Sequence, residues 1–271
     1  MRRISWRFRL VGALMIMLLT ACGTPVAGQP EPSVTPLPAD QLVFLVEAGG
    51  GFVPVLNAVL ESPALAVYSD GRVIQYNQKK KERDVPAAYT IAEVDPALVA
   101  TFVAETEALN LIQAGTDFGE PAVSDMATTT VQLNGATGPK EVHVYAFADA
   151  FENDVTKAQR QARQELAAVI DRAHALPSDG EQAPYRPDAV RVIELEDTEF
   201  TEMAPAWPGP EPGSFLSASQ TFGPCGTLSG AAAEKAYAAA RRNPGAVWSA
   251  EDTQLTLVVT ALLPGTGGCP S

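Results

Sequence analysis

The chain has few of the residues that build metal, redox and nucleic-acid sites. Its 271 residues include only two histidines and three cysteines, and aromatic residues make up 7%. The cysteines lack a Cys-x-x-Cys spacing and have no histidine near them, so the patterns of zinc and redox sites are missing. We therefore expect neither a metal site nor a cofactor.

Basic residues are also scarce, with 19 Lys and Arg against 32 Asp and Glu. Four arginines and no acid lie in residues 1–21, so the chain from Cys22 onward has a formal net charge of −17. Because nucleic-acid recognition begins with a basic face, this charge argues against a nucleic-acid partner. The hydrophobic share of 46% still suffices for a folded core.

The apolar run from Leu10 to Ala21 is shorter than the roughly 20 residues that a membrane-spanning helix needs. A head with four arginines precedes it, and Leu19-Thr20-Ala21-Cys22 follows the lipobox pattern. This N-terminus resembles a bacterial lipoprotein signal. The resemblance implies cleavage before Cys22, acylation of its thiol, and stable anchoring on the extracytoplasmic side of a bacterial membrane through two or three acyl chains.

The alternative interpretation is an ordinary secretory signal in which Ala21-Cys22 is a chance pair. The resemblance also does not decide which membrane carries the anchor. Gly23 replaces the Asp that retains Gram-negative lipoproteins at the inner membrane, which would imply the outer membrane, whereas a Gram-positive cell offers no such choice. Residues 23–40 hold five prolines, which predicts an extended tether from the membrane.

Cys225 and Cys269 are the remaining cysteines, an even pair in a compartment where disulfides persist. We predict one bridge that closes a loop of about 45 residues and contributes on the order of 3 to 4 kcal/mol in the chain-entropy model.

Hairpins and helices dominate the pattern that follows the tether. Periodicity and turn residues predict a buried strand at 42–46, a hairpin of 64–69 and 72–76 with a type I′ turn at Asp70-Gly71, and a second hairpin of 128–133 and 141–147 that is covered on both faces of its second strand. Asp95-Pro96 predicts the start of a helix whose inner face carries Leu98, Val99, Phe102, Val103 and Leu109.

A second, amphipathic helix is predicted from near Asp154. Its inner face holds Val155, Ala158, Ala162, Leu166, Val169, Ile170 and Ala173, and its solvent face Lys157, Arg160, Arg163 and Arg172. The C-terminal part is predicted to hold a strand at 189–195, a Pro-rich loop at 204–213, a helix at about 229–243 and a strand at 254–262.

This order indicates an α+β fold, with an antiparallel sheet of hairpins packed against two or three helices and a disulfide-stapled C-terminal part. The predicted division is a signal peptide (1–21), a Pro-rich tether (22–40), a main domain (41–176), a linker (177–188) and a C-terminal subdomain (189–271).

For each group of candidate site residues, the sequence gives only weak support for a functional role. His143 and His174 lack an adjacent nucleophile, so structural or surface roles are favoured. Three loop acids, Asp117, Glu120 and Asp125, match no defined calcium loop. The Gly49–Phe52 run lacks the residues of a phosphate-binding loop. An acidic run (Glu194, Glu196, Asp197, Glu199 and Glu202) is typical of a solvated edge. Trp207, in the Pro-rich loop, either anchors a ligand or fills the gap between the two halves, and the second role is favoured.

We therefore predict a membrane-anchored extracytoplasmic lipoprotein that acts as a non-enzymatic binding or envelope-interaction module, with an envelope protein or a small ligand as its partner. The alternative is an extracytoplasmic hydrolase whose site, built on His143 or a carboxylate pair, matches no known motif.

Overall fold

The computed structural model describes residues 37–77, 84–177, 181–196, 201–219, 221–250 and 253–269. The predicted signal peptide, Cys22 and most of the tether lie outside the described residues. Among those described, no helix combines the length and apolarity needed to cross a membrane.

Two antiparallel sheets form the framework. The elements of the larger one are β1 (Leu42–Gly49), β2 (Leu65–Tyr68), β3 (Arg72–Tyr76), β4 (Tyr89–Glu93), β5 (Thr128–Gly135), β6 (Gly138–Tyr145) and β7 (Ala183–Pro184). Their order across the sheet is β6-β5-β1-β2-β3-β4-β7. The smaller sheet contains β8 (Ala189–Leu195), β9 (Cys225–Ser229), β10 (Val247–Ala250) and β11 (Thr253–Leu262), in the order β10-β11-β8-β9.

The helices are α1 (Val55–Leu60), α2 (Pro96–Ala108), α3 (Lys157–Ala175) and α4 (Gly230–Ala240), with short 3-10 helices at Asp149–Asp154 and Pro212–Ser214. This architecture confirms the predicted α+β class with an antiparallel sheet. The sequence patterns missed α1 and strands β4, β7, β9 and β10, which are short or lack alternation.

Two large cores cover the two faces of the large sheet. The first joins one face to α2 and α3, and the second joins the opposite face to the small sheet and α4. The β1–β2 register shifts between Leu42 and Phe44. Because this irregularity interrupts the alternation of a strand, neighbouring Val43 and Phe44 both enter the first core.

Helix α2 begins as predicted, since the Asp95 side chain accepts a hydrogen bond from Ala97 N at 2.9 Å. Its inner face was predicted only in part. Val99, Phe102 and Val103 are buried together with Thr106, whereas Leu98 is 54% exposed and Leu109 is 49% exposed.

Helix α3 starts later than predicted, after Thr156, which forms a reciprocal capping box with Gln159. Leu166, Val169 and Ala173 are buried as expected. The expectation for Arg163 was wrong, because this side chain is fully buried instead of facing solvent.

The Asp70-Gly71 hairpin is present, with Val67 paired to Val73, but its turn is not type I′. Gly71 N donates to Tyr68 O at 3.0 Å, and only Gly71 of this turn has a positive φ, at 97°. A three-residue loop of this form ends in a left-handed glycine. A Cβ at Gly71 would lie 2.1 Å from Val94 O, so the position also needs glycine for space.

The second hairpin is longer than predicted, and its pairing extends to Gly135 and Gly138. β6 is an edge strand. Val142 and Val144 are buried, but His143 on the other face is exposed, so the strand is not covered on both faces.

In the C-terminal part, β8 has the predicted bounds and the Cys225–Cys269 disulfide is formed. Strand β7 lies within the predicted linker and pairs with β4 of the large sheet. All described residues belong to one compact unit, Val34–Ser271. The domain boundaries themselves stay a prediction.

Candidate functional site

Two clefts open on the face of the small sheet that carries α1. This face is set by strand alternation, because Ile193 and Val258 pack with Val59 of α1 while their neighbours along each strand enter the second core. Phe222 lines both clefts. We call them the apolar cleft and the polar cleft.

The apolar cleft has a volume of about 940 Å³. Its apolar walls include Val55, Leu56, Leu195, Met203, Phe222 and Val247, and its polar groups include Glu196, Thr201 and Asn243. Met203 is 90% exposed and Phe222 is 37% exposed. An open concave surface of this size and composition is typical of small-ligand sites.

The polar cleft, of about 560 Å³, lies where β8 and β11 of the small sheet face β1, β5 and β6 of the large one. Its floor is a row across three paired strands: Glu47 pairs with Thr130, and Thr130 pairs with His143. Since residues paired across neighbouring strands point to the same face, all three side chains reach the cleft.

Arg191 and Thr260, a cross-strand pair of the small sheet, form the opposite wall. Arg191 Nε donates to Thr260 Oγ1 at 3.2 Å, and its Nη2 donates to Val59 O at 3.2 Å. These bonds fix a half-buried guanidinium at the edge of the cleft.

Glu61 closes one end of the polar cleft. Both of its carboxylate oxygens lie 3.1 Å from Gly50 N, which donates to them. A Cβ at Gly49 would lie 2.5 Å from Glu61 Oε2, so the glycine run makes room for this carboxylate. The Gly50 N–H is therefore occupied by a side-chain carboxylate and is not available to a phosphate.

The charged groups of the polar cleft have shifted pKa values. Burial raises the pKa of Glu47, and the nearby Glu141 adds to this, whereas Arg191 and His143 act in the opposite direction. Burial also raises the pKa of Glu61, whereas the hydrogen bond from Gly50 N acts to lower it. Burial lowers the pKa of Arg191, with Glu47 opposing, although an arginine stays protonated in proteins.

His143 sits between a hydroxyl and a carboxylate. Thr130 Oγ1 lies 3.0 Å from His143 Nδ1, and Glu141 Oε1 lies 2.8 Å from His143 Nε2. The imidazole is largely exposed, at 61% of its side-chain surface. The arrangement follows from β5–β6 pairing, since Thr130 is opposite His143 and Glu141 is two residues earlier on the same face.

The other histidine, His174, lies in the last turn of α3 with Nδ1 3.2 Å from Gln75 Oε1. Burial lowers its pKa, and neither cleft contains it.

The predicted loop acids do not come together as a cation site. Asp117 accepts hydrogen bonds from Gly119 N at 2.9 Å and from Gln159 Nε2 at 3.0 and 3.1 Å. These bonds lower the pKa of Asp117, the Gln159 bond most. Within the described ranges, no group of three His, Cys, Asp or Glu side chains could hold a metal ion.

Trp207 packs edge-to-face on the buried Trp248, with ring centroids 5.3 Å apart. Its Nε1 donates to Pro210 O at 2.8 Å, and it contacts the second core. Of the acidic run, Glu196 lines the apolar cleft, while Asp197 and Glu199 lie outside the described residues.

The sequence reasoning missed Glu47, Glu61 and Arg191. Glu47 directly follows the five apolar residues of β1, and Arg191 lies between Val190 and Val192 of β8. A charge inside an otherwise apolar strand is an available signal of a partner or a site, because charged residues are almost never fully buried unless they are paired.

Comparison with protein-family models, with curated proteins and with solved structures finds no match.

Proposed function

We propose that this chain is an extracytoplasmic lipoprotein, anchored by acyl chains on Cys22, that binds a small apolar ligand non-covalently in the apolar cleft. The observation that carries the proposal is the cleft itself, about 940 Å³ with apolar walls and an exposed Met203 at its rim. Ligand sites of proteins are concave, mostly apolar and within this range of volume.

The N-terminal resemblance supports the proposed location, anchored to a membrane on its extracytoplasmic side. A basic head, a short apolar run and the sequence Leu19-Thr20-Ala21-Cys22 fit lipoprotein processing. The disulfide fits an oxidising compartment outside the cytoplasm. The acidic chain is repelled by anionic headgroups, so attachment rests on the acyl chains.

Binding in the apolar cleft is tested with the full chain and the neutral fluorophore N-phenylnaphthylamine. Met203→Lys places a charge at the rim of the cleft without disturbing a buried contact, since Met203 is 90% exposed. The matched control is Leu98→Lys, an exposed apolar residue on α2 that lines neither cleft. We expect saturable fluorescence with the unchanged chain and Leu98→Lys, and weaker binding with Met203→Lys. Equal titrations for all three proteins would reject the apolar cleft as the site.

The anchor is tested separately by Cys22→Ser in the producing bacterium. We expect the unchanged chain in the membrane fraction, with the mass of acyl chains added at Cys22, and the variant in the soluble fraction. A wild-type chain that carries no acyl mass would leave the ordinary secretory signal as the correct interpretation.

The Thr130–His143–Glu141 arrangement favours hydrolysis as a second candidate function, since it joins a hydroxyl, an imidazole and a carboxylate. Two features weaken it. The nucleophile would face Nδ1 and the acid Nε2, the reverse of the usual triad, and threonine nucleophiles are usually activated by an N-terminal amine. Loss of an esterase or peptidase activity in His143→Ala, with its melting temperature unchanged, would favour this function over binding.

A further inference from the structure

Two opposite charges face each other across the polar cleft without contact. Glu47 projects from β1 of the large sheet and Arg191 from β8 of the small sheet. They influence each other electrostatically, yet among the described ion pairs of 4.0 Å or less there is none between them.

Both groups retain unused hydrogen-bonding capacity. Within the described part of the chain, no donor bonds the Glu47 carboxylate, and the Nη1 group of Arg191 has no acceptor. The other two nitrogens of Arg191 are held by Thr260 and Val59. The guanidinium is therefore fixed in place with one nitrogen left to donate.

An unpaired and partly buried carboxylate destabilises a folded protein. Glutamine has nearly the same shape and would avoid this effect at position 47. A charge that weakens the fold at a concave site is typical of a functional group.

The charges of the cleft select the kind of ligand. A simple anion would be attracted by Arg191 but repelled by Glu47 and Glu61. A simple cation would be attracted by Glu47 and Glu61 but repelled by Arg191. A molecule that carries both charges pairs with both walls at once, as charge complementarity requires.

We propose that the polar cleft binds a free α-amino acid, with the ammonium group on Glu47 and the carboxylate on Arg191. The two charged groups of such a ligand are separated by one carbon atom, and the Thr130 hydroxyl on the floor adds a hydrogen-bonding group near the ammonium. Glu61 also lines the cleft, and Gly50 N donates to both of its oxygens, whereas no donor among the described residues bonds Glu47. This site is distinct from the apolar cleft, although Phe222 borders both.

The test uses the full chain and each of the twenty L-amino acids, first by thermal shift and then by calorimetry. We expect at least one to bind at concentrations up to about 10 mM. For that amino acid, the N-acetyl derivative lacks the ammonium and the carboxamide lacks the carboxylate. Each derivative should bind at least about tenfold more weakly, since it leaves one protein charge unpaired.

Two variants assign the contacts. Glu47→Gln keeps the shape of the side chain and removes the charge, and Arg191→Lys keeps the charge but loses the planar donor geometry. Both should weaken binding at least about tenfold. The matched controls are Glu165→Gln and Arg186→Lys, whose exposed side chains lie outside the cleft, and they should bind like the unchanged chain.

The proposal is overturned if no amino acid binds, if the N-acetyl derivative binds as well as the parent, or if Glu47→Gln binds normally. Because Glu47→Gln removes a partly buried charge, it is expected to fold, and its melting temperature verifies this. Met203→Lys should leave amino-acid binding unchanged, so failure here and failure of the apolar cleft are separately visible.

Discussion

Arg163 Nη2 donates a hydrogen bond to Tyr145 O at 3.1 Å, where β6 ends. The same guanidinium also bonds Ala146 O and, through Nη1, Phe118 O at 3.2 Å. Three backbone carbonyls thus take the place of a carboxylate partner for a fully buried cation. This contact ties α3 to the end of the strand that carries His143.

Arg163→Met should therefore cost about 2 to 4 kcal/mol of unfolding free energy, because methionine fills the space but removes the Arg163 donors of Phe118 O and Tyr145 O, whereas Ala146 O keeps Ala148 N as a second donor at 3.0 Å. Arg172→Met, on the same helix, removes an exposed ion pair with Glu105 and should change stability by less than about 1 kcal/mol. Urea denaturation of both variants measures the difference. Equal, small effects would mean that the Arg163 bonds contribute little.

Glycine is required at position 71 for two separable reasons. Gly71 has a positive φ of 97°, and its Cβ would lie 2.1 Å from Val94 O. Gly115 has a similar φ of 87° but open space around it. We expect Gly115→Ala to cost about 1 kcal/mol from backbone strain alone, and Gly71→Ala at least about 3 kcal/mol. Similar unfolding free energies for the two variants would show that the hairpin moves away from β4 without cost.

Local signals predicted the local structure well. The Asp95-Pro96 cap, the pairing of the hairpin around Asp70-Gly71 and strand β8 each depend on a few neighbouring residues whose chemistry decides the outcome, although the turn type of that hairpin was predicted wrongly. Arg163 shows the limit of this reasoning. Helical periodicity placed it with the charged residues of α3, but its burial depends on carbonyl groups at Phe118 and Tyr145, which only the folded chain brings near.

The clefts were less predictable than the fold for the same reason. His143 was identified as a candidate, but its partners in the polar cleft come from strands that are distant in sequence. Glu47 and Arg191 line the same cleft only because the small sheet packs beside β1. Neither side chain belongs to a motif of fixed spacing, so sequence periodicity gave no sign that they line one cleft.

The disulfide joins buried Cys225, at the start of β9, to Cys269 after β11, across 44 positions. Its loss should lower the unfolding free energy by about 3 to 4 kcal/mol, because the unfolded chain has more conformational entropy when the disulfide is reduced. Urea denaturation with and without reductant measures this. The double variant Cys225→Ala/Cys269→Ala is the control and should be insensitive to reductant. A wild-type midpoint that does not move on complete reduction would contradict the expectation.

Glu47→Gln should stabilise the folded chain at neutral pH. Burial raises the pKa of Glu47 in the folded state, so the folded protein binds this proton more tightly than the unfolded chain does. The stabilisation from the protonated form is complete below the unfolded pKa of about 4.3 and is lost as the pH rises through the folded pKa. Glutamine does not ionise, so the variant keeps at pH 7 the stability that the wild type loses on ionisation of Glu47.

Urea denaturation should therefore show a higher unfolding free energy for Glu47→Gln at pH 7, and the difference from wild type should narrow towards pH 4. Glu165→Gln, on the exposed side of α3, controls for charge removal in general. A gap that stays constant from pH 7 to pH 4 would show that ionisation of Glu47 does not destabilise the fold, and a lower stability at pH 7 would show that Arg191 and His143 outweigh burial.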